Sequence, residues 1–183
     1  MQKLGTIFWY VLFVKTGHEE KLLVKLMSEL DSSMFSPFIP KKAQIFRRQG
    51  QKTLFHKICF PGYLFIESVL PPAEFLARIF PILHASRNIY RFVNYGDRSD
   101  IAMKEDERIA LSNLLNANRC IDISTGFKEG DKIQIISGVL AGNESRIVKI
   151  NKNKNYAIIA LEIFGSVVEL SISIDIIKKD QEV

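Results

Sequence analysis

From Phe127 to the end of the sequence no helical period survives, and that absence narrows the fold more than any single motif does. Strand-like runs recur instead at Lys132–Ser137, Ser145–Ile150, Tyr156–Ile163, Val167–Ser171 and Ile174–Ile177. Turn signals separate them: Ser137-Gly138, Ala141-Gly142-Asn143, Asn151–Asn155 and Phe164-Gly165. Short strands punctuated this closely predict a small all-β barrel.

The first half has a different pattern. Ile7–Thr16 is a continuous β-branched and aromatic run, suited to a central strand covered by other elements. Gly17 breaks it, and Glu19–Leu30 then sets Leu22, Leu23, Leu26, Met27 and Leu30 on one helical stripe. Glu19 and Glu20 fall in the first turn, where the helix dipole favours carboxylates. Phe38–Phe46 and Lys52–Ile58 read as strands of a hairpin joined by the basic turn Arg47-Arg48-Gln49-Gly50-Gln51. Phe60-Pro61-Gly62-Tyr63 is a turn leading into the strand Tyr63–Ser68. A helix from Pro71 or Pro72 runs through Phe75, Leu76 and Ile79 and is expected to stop at Pro81; Ile89–Val93 supplies another strand. The expectation is an α+β domain, an antiparallel sheet with flanking helices, over residues 1–96. A polar stretch and the helical spacing of Lys104–Asn118 make 97–124 a linker, and 125–183 the barrel.

Charge follows that division. Residues 1–96 carry 13 basic and 6 acidic side chains, 97–124 carry 4 and 6, and 125–183 carry 8 and 8, so the first domain owns the basic field. Overall the 183 residues hold a formal +5 and are 47% hydrophobic, which excludes a disordered chain. The apolar run Ile7–Val14 is too short to span a bilayer and meets Lys15-Thr16-Gly17-His18-Glu19 rather than a small-residue cleavage site. Cys59 and Cys120 stand alone in the sequence, so each is expected as a buried small hydrophobe in a reducing cytoplasm.

Catalytic chemistry finds little material. His18, His56 and His84 fall in three different elements, with no metal-ligand spacing, phosphate-binding glycine loop or nucleophile elbow. Glu105-Asp106-Glu107 reads as a solvated helix start. The chain is therefore expected not to be an enzyme, and to need neither cofactor nor metal.

Binding chemistry finds more. Lys41, Lys42, Arg47, Arg48, Lys52 and Lys57 gather on one hairpin near Phe46 and Phe55, a ribbon able to meet phosphates and stack on bases. An edge hairpin kept soluble by lysines has the same composition. In the second half Arg146, Lys149, Lys152 and Lys154 line a strand and loop, with Tyr156 beyond and Asn151, Asn153 and Asn155 interleaved. These could bind nucleic acid, or simply form an exposed hairpin loop.

In their order along the chain these motifs resemble the NusG family of transcription elongation factors. Trp9-Tyr10-Val11 with Gly17 and Glu19 resembles that family's opening strand and helix, and Phe60-Pro61-Gly62-Tyr63-Leu64-Phe65-Ile66 its central strand. Gly130-Asp131, Ile135, Gly138, Ala141-Gly142, Phe164-Gly165 and Val168-Glu169-Leu170 resemble its KOW domain. The resemblance implies an N-terminal NGN domain at 1–96 that docks on the clamp helices of bacterial RNA polymerase through Trp9, Tyr10, Phe60, Pro61, Gly62 and Tyr63. It also implies a KOW barrel whose Phe164-Gly165-Ser166 loop meets a partner. Ala85, Ser86 and Arg87 occupy the segment that faces non-template DNA, where the Asn-Thr pair of some members is missing.

Two departures carry information. Ser166 stands where general members have Arg after Phe-Gly, and Gly138-Val139-Leu140 replaces their Gly-Pro-Phe. Both speak against contacts with Rho and the ribosome, and the Lys-Asn loop fits a specialised paralogue resembling the LoaP-type antiterminators. The function implied is an elongation or antitermination factor, monomeric and cytoplasmic, binding polymerase and nascent RNA, with a leader hairpin as one target. The alternative is a general factor whose KOW domain recruits a protein such as Rho or a ribosomal protein.

Overall fold

A computed structural model of the chain describes residues 6–48, 51–83, 86–129, 132–151 and 153–177, with the backbone alone at Arg47 and Arg48. The chain forms two compact units that do not follow a single cut. The first takes Met1–Pro40, Phe60–Ile109 and Ile163–Gly165; the second takes Lys41–Cys59, Ala110–Glu162 and Ser166–Val183.

In the first unit β1 (Phe8–Val14) lies between β5 (Tyr63–Ser68) and β6 (Ile89–Phe92), and β2 (Phe35–Phe38) pairs with the far side of β5. All three pairings are antiparallel. Helices α1 (Glu19–Glu29) and α2 (Pro72–Leu83) flank this sheet. Phe75 of α2 packs its ring on Tyr10, Phe35 and Phe92, covering one sheet face. On the other face Trp9 meets Phe38 edge-on at 5.0 Å, and Phe65 contacts Phe38 and Phe60. With both faces covered, Trp9 through Leu12 are all buried, the physical cause of the unbroken apolar run.

Two expected elements differ. The strand expected over Phe38–Phe46 is two strands, β2 in the first unit and β3 (Lys41–Arg48) in the second, divided at Ile39-Pro40. Proline has no N–H to give a ladder, so pairing changes partner there. Helix α2 also continues past Pro81 to Leu83. The apolar stripe Phe75, Ile79, Leu83 keeps that last turn against the sheet despite the missing N–H.

The second unit holds β3 paired antiparallel with β4 (Gln51–Ile58) and parallel with the short β7 (Cys120–Ile121). Its other sheet has the order β10-β11-β12-β8-β9 and curls into a half-barrel, made of β8 (Ser124–Glu129), β9 (Lys132–Ser137), β10 (Ile147–Asn151), β11 (Tyr156–Ile163) and β12 (Ser166–Ile177). The two expected runs Val167–Ser171 and Ile174–Ile177 are one strand. Along it Leu170, Ile172 and Ile174 point into the core, while Ser171, Ser173 and Asp175 line the outer face. Gly138, at φ +90°, closes the turn after β9; a Cβ there would stand 2.6 Å from the Ser124 Cα, so no other residue fits. Helix α3 (Glu105–Ser112) is shorter than the Lys104–Asn118 spacing suggests. Asn116 Oδ1 accepts the N–H groups of Asn118 and Cys120, and that local capture turns the chain out of the helix.

Candidate functional site

The Phe60–Tyr63 turn is built from inside. Gly62 adopts φ +85° and donates its N–H to Glu19 Oε1 at 2.6 Å, while its carbonyl accepts the Val14 N–H at 2.8 Å. Glu19, the first residue of α1, is buried, so a charged side chain is held below the turn with a backbone donor for partner. A Cβ on Gly62 would meet Thr16 Oγ1 at 3.0 Å.

Beyond the turn the rings form a strip across three strands. Phe13 sits 5.4 Å from Tyr63 on β5 and 5.4 Å from Tyr90 on β6, and the Arg91 guanidinium lies 5.6 Å over the Phe13 ring. Phe13 and Tyr63 are half-buried, and Tyr90 is 56% exposed. Pro61 is exposed, and Phe60 is nearly closed off against Phe65.

Trp9 and Tyr10, which the resemblance puts on the docking face, lie in the core on opposite faces of β1. Trp9 Nε1 donates to Glu67 Oε2 at 2.8 Å, and the Tyr10 hydroxyl donates to the Leu70 carbonyl at 2.7 Å. Burial raises the Tyr10 pKa well above the usual phenol range. Tyr90 and Phe13 are the surface aromatics that sequence reasoning missed; the β1–β6 pairing that sets Phe13 opposite Arg91 brings them together, and local sequence carries no signal of it.

The basic hairpin belongs to the second unit, where it runs along the outer face of β12. Lys42 Nζ donates to Ser171 Oγ at 2.7 Å, and Lys52 Nζ reaches Asp175 Oδ1 at 2.9 Å. Burial, and behind it the nearby Lys57 charge, lowers the Lys42 pKa, with Cys59 opposing. Lys57 is exposed, 5.5 Å over the Phe55 ring; Lys41 is half-buried. Phe46 is exposed, and the side chains of Arg47 and Arg48 lie outside the described residues. In the first unit Arg87 is exposed just after α2, Ser86 is half-buried, and Ala85 is outside the description.

In the barrel Arg146, Lys149 and Lys154 are exposed, and Tyr156 is half-buried; Lys152 is outside the described residues. Asn151 is committed to shaping the loop: its Oδ1 accepts the Lys154 N–H at 2.9 Å and its Nδ2 donates to Tyr156 Oη at 3.3 Å. Asn155 takes the left-handed conformation at φ 52° that asparagine tolerates, closing the turn. Only Asn153 of the three stands exposed.

The Phe164-Gly165 loop has a partner that local sequence did not disclose. Glu107 Oε2 accepts the Phe164 N–H at 2.8 Å and Oε1 accepts the Gly165 N–H at 2.9 Å. The Tyr95 hydroxyl also donates to Glu107 Oε2, at 2.5 Å, and the Tyr95 ring lies 4.8 Å from Phe164. Burial first, and then the Glu107 hydrogen bond, raises the Tyr95 pKa. The helix start read as solvated is therefore divided: Glu105 and Asp106 are exposed, Glu107 is buried. Ser166 is exposed.

Cys59 and Cys120 are buried free thiols. Among the described residues no group of three His, Cys, Asp or Glu could hold a metal, and no helix is long and apolar enough to cross a membrane.

Comparison with known proteins gives these surfaces a context. A family model described as transcription termination factor NusG matches residues 8–112. The transcription termination/antitermination protein NusG of Streptococcus pyogenes serotype M1 is 32% identical over 166 residues, covering 86% of this chain and 88% of that protein. The protein of the same name from Thermus thermophilus is 28% identical over 168 residues, covering 87% and 91%. A solved structure titled "Domain interaction in Thermotoga maritima NusG" aligns over 92% of this chain and 94% of that one, at 19% identity and a TM-score of 0.49. With more than half of its length matched by the family model and a relative at 32% identity, this chain belongs to the NusG family of transcription factors.

Proposed function

We propose that the chain is a transcription elongation and antitermination factor that docks on RNA polymerase through the first unit and holds nascent RNA on the basic surfaces of the second. The observation that carries the docking reading is the strip Tyr63–Phe13–Tyr90 beside the Glu19-anchored Pro-Gly turn. Rings held against one another by a sheet lose little freedom on binding, and aromatic anchors of this kind dominate protein interfaces. Phe60 acts from below by packing the turn, and Trp9 and Tyr10 by holding the sheet. Arg87, exposed near the start of β6, would face the non-template DNA strand.

Lys57, Arg146, Lys149 and Lys154 support the RNA reading, because exposed cations on strands and tight loops meet phosphates at fixed spacing. The competing reading, recruitment of a protein by the Phe164-Gly165 loop, is less well supported. Both N–H groups of that loop are taken up by Glu107, and Ser166 lacks the charge of the Arg that general members carry there.

The test is a photo-crosslinking residue in place of Tyr90 in the full chain, mixed with purified bacterial RNA polymerase. A crosslink to the polymerase clamp is expected. Absence of any crosslink from this position, with an equally exposed control site behaving the same, would overturn the docking reading.

A further inference from the structure

The outer face of the half-barrel carries a cleft. It has a volume of about 360 Å³ and is lined by Gln44 and Ile45 of β3, Lys154 and Tyr156 at the loop before β11, Ile158 of β11, and Ser171 and Ser173 of β12. Every one of these residues belongs to the second unit. From sequence alone, the hairpin and the Lys-Asn loop are two separate basic surfaces; the fold makes one cleft of them.

We infer that this cleft receives a single unstacked base of single-stranded RNA, stacked on Tyr156. The inference rests on the RNA reading above and deepens it by naming the form of RNA and the atoms that hold it. A half-buried phenol ring offers a π-face, and Ile45 and Ile158 supply apolar walls. The Gln44 amide and the Ser171 and Ser173 hydroxyls offer donors and acceptors for a base edge or a ribose 2′-hydroxyl. Lys154 at the rim suits the phosphate attached to that nucleoside.

Size and rigidity narrow the occupant. A cleft of this volume admits one nucleoside but no duplex, whose bases stay stacked and paired. Tyr156 is steadied by Asn151 Nδ2 at 3.3 Å, Asn151 also holds the Lys154 N–H, and Ser171 is bound by Lys42 at 2.7 Å. Three of the lining residues are thus held by hydrogen bonds before any ligand arrives. A hairpin loop, with bases splayed from the stack, presents what the cleft would take.

The experiment uses the full chain and a fluorescent single-stranded RNA of mixed sequence, about twelve nucleotides long. The same strand annealed to its complement serves as the duplex probe. Wild type should prefer the single strand, and Tyr156→Ala should lower that affinity by about ten-fold or more while changing duplex affinity less than about two-fold. Tyr156→Phe, which keeps the ring, should retain binding. Ile45→Trp, which fills the cleft from the hairpin side, should reproduce the Tyr156→Ala loss. If the chain binds both probes and neither Tyr156→Ala nor Ile45→Trp changes single-strand affinity, the cleft is wrong and the RNA reading stands on other residues. If wild type binds neither probe, both fall. A deoxyribose version of the single strand that binds as tightly, and weakens as much in Tyr156→Ala, would move the assignment from RNA to single-stranded DNA and overturn it.

Discussion

The carboxylate of Glu107 lies 2.9 Å from the backbone nitrogen of Gly165, although 58 residues separate them in the chain. Its second oxygen takes the Phe164 N–H, and Phe164 and Gly165 both hold positive φ, at 50° and 70°. A non-glycine residue at positive φ is strained, and charge-assisted hydrogen bonds of this kind offset the strain. Glu107→Ala should therefore release the Ile163–Gly165 turn. The measurement is amide hydrogen exchange, with faster exchange expected at Phe164 and Gly165 and a stability loss of about 1–3 kcal/mol. Unchanged protection at both amides would contradict the role given to Glu107.

Glu19 anchors the Phe60–Tyr63 turn in the same manner, through the Gly62 N–H at 2.6 Å. Removing it leaves a buried donor unpaired, a cost of about 1–3 kcal/mol. Glu19→Ala should weaken polymerase association more than an equally destabilising core substitution such as Ile79→Val, because it loosens the turn that carries Tyr63. Gly62→Ala should act likewise, since φ +85° strains any residue with a Cβ and the Thr16 Oγ1 at 3.0 Å would have to give way to it. Equal polymerase affinity for Glu19→Ala and the core control would set this aside.

Stability should fall in alkaline solution through the buried thiols. Burial pushes the Cys59 pKa from its ordinary 9.0 up to about 12, with Lys42 opposing, and burial raises that of Cys120 as well. The unfolded chain then loses these protons at lower pH than the folded chain does. The protective contribution is whole below pH 9.0 and is lost between there and about 12. Each fully linked proton changes stability by about 1.4 kcal/mol per pH unit in that window. Urea midpoints should hold steady from pH 7 to 8.5 and drop by pH 10, and the drop should shrink in Cys59→Ala; an equal drop in that variant would contradict it.

Two kinds of RNA recognition should separate by salt. Replacing Arg47 and Arg48 with Glu should weaken all RNAs alike and lower the log–log salt slope by about one for each phosphate that is no longer neutralised. Replacing Lys152, Lys154 and Tyr156 should instead reduce the ratio of open-loop hairpin to fully paired RNA affinity. Affinities at two salt concentrations for both variants decide it, and an unchanged ratio in the second variant would place discrimination elsewhere.

How much of this was legible in the sequence follows from the range of the forces. Local period disclosed β1, the Leu22–Leu26–Leu30 stripe of α1, the Pro-Gly turn and the string of barrel strands, because each depends on neighbours within a few residues; Met27, read onto the same stripe, is exposed. The α+β domain and the all-β barrel follow from them. Long-range pairings were not legible. Glu107 looks solvated until Phe164 and Gly165 arrive, and Lys42 looks like a surface lysine until Ser171 meets it. Trp9 and Tyr10 were placed on the docking face by the family resemblance, whereas the unbroken run Ile7–Thr16 already pointed to a covered central strand, and both residues are buried. The family match, spanning residues 8–112, identifies the family but not which rings reach the surface.

Tyr63, with Phe13 and Tyr90, is the face proposed to meet the polymerase. The most direct measurement is the affinity of the folded Tyr63→Ala chain for purified RNA polymerase, with folding checked by circular dichroism. Loss of a central aromatic anchor should cost about 2 kcal/mol or more, roughly a thirty-fold weakening or greater. A folded Tyr63→Ala chain that binds polymerase as tightly as wild type would mean that the Tyr63–Phe13–Tyr90 strip is not the docking face.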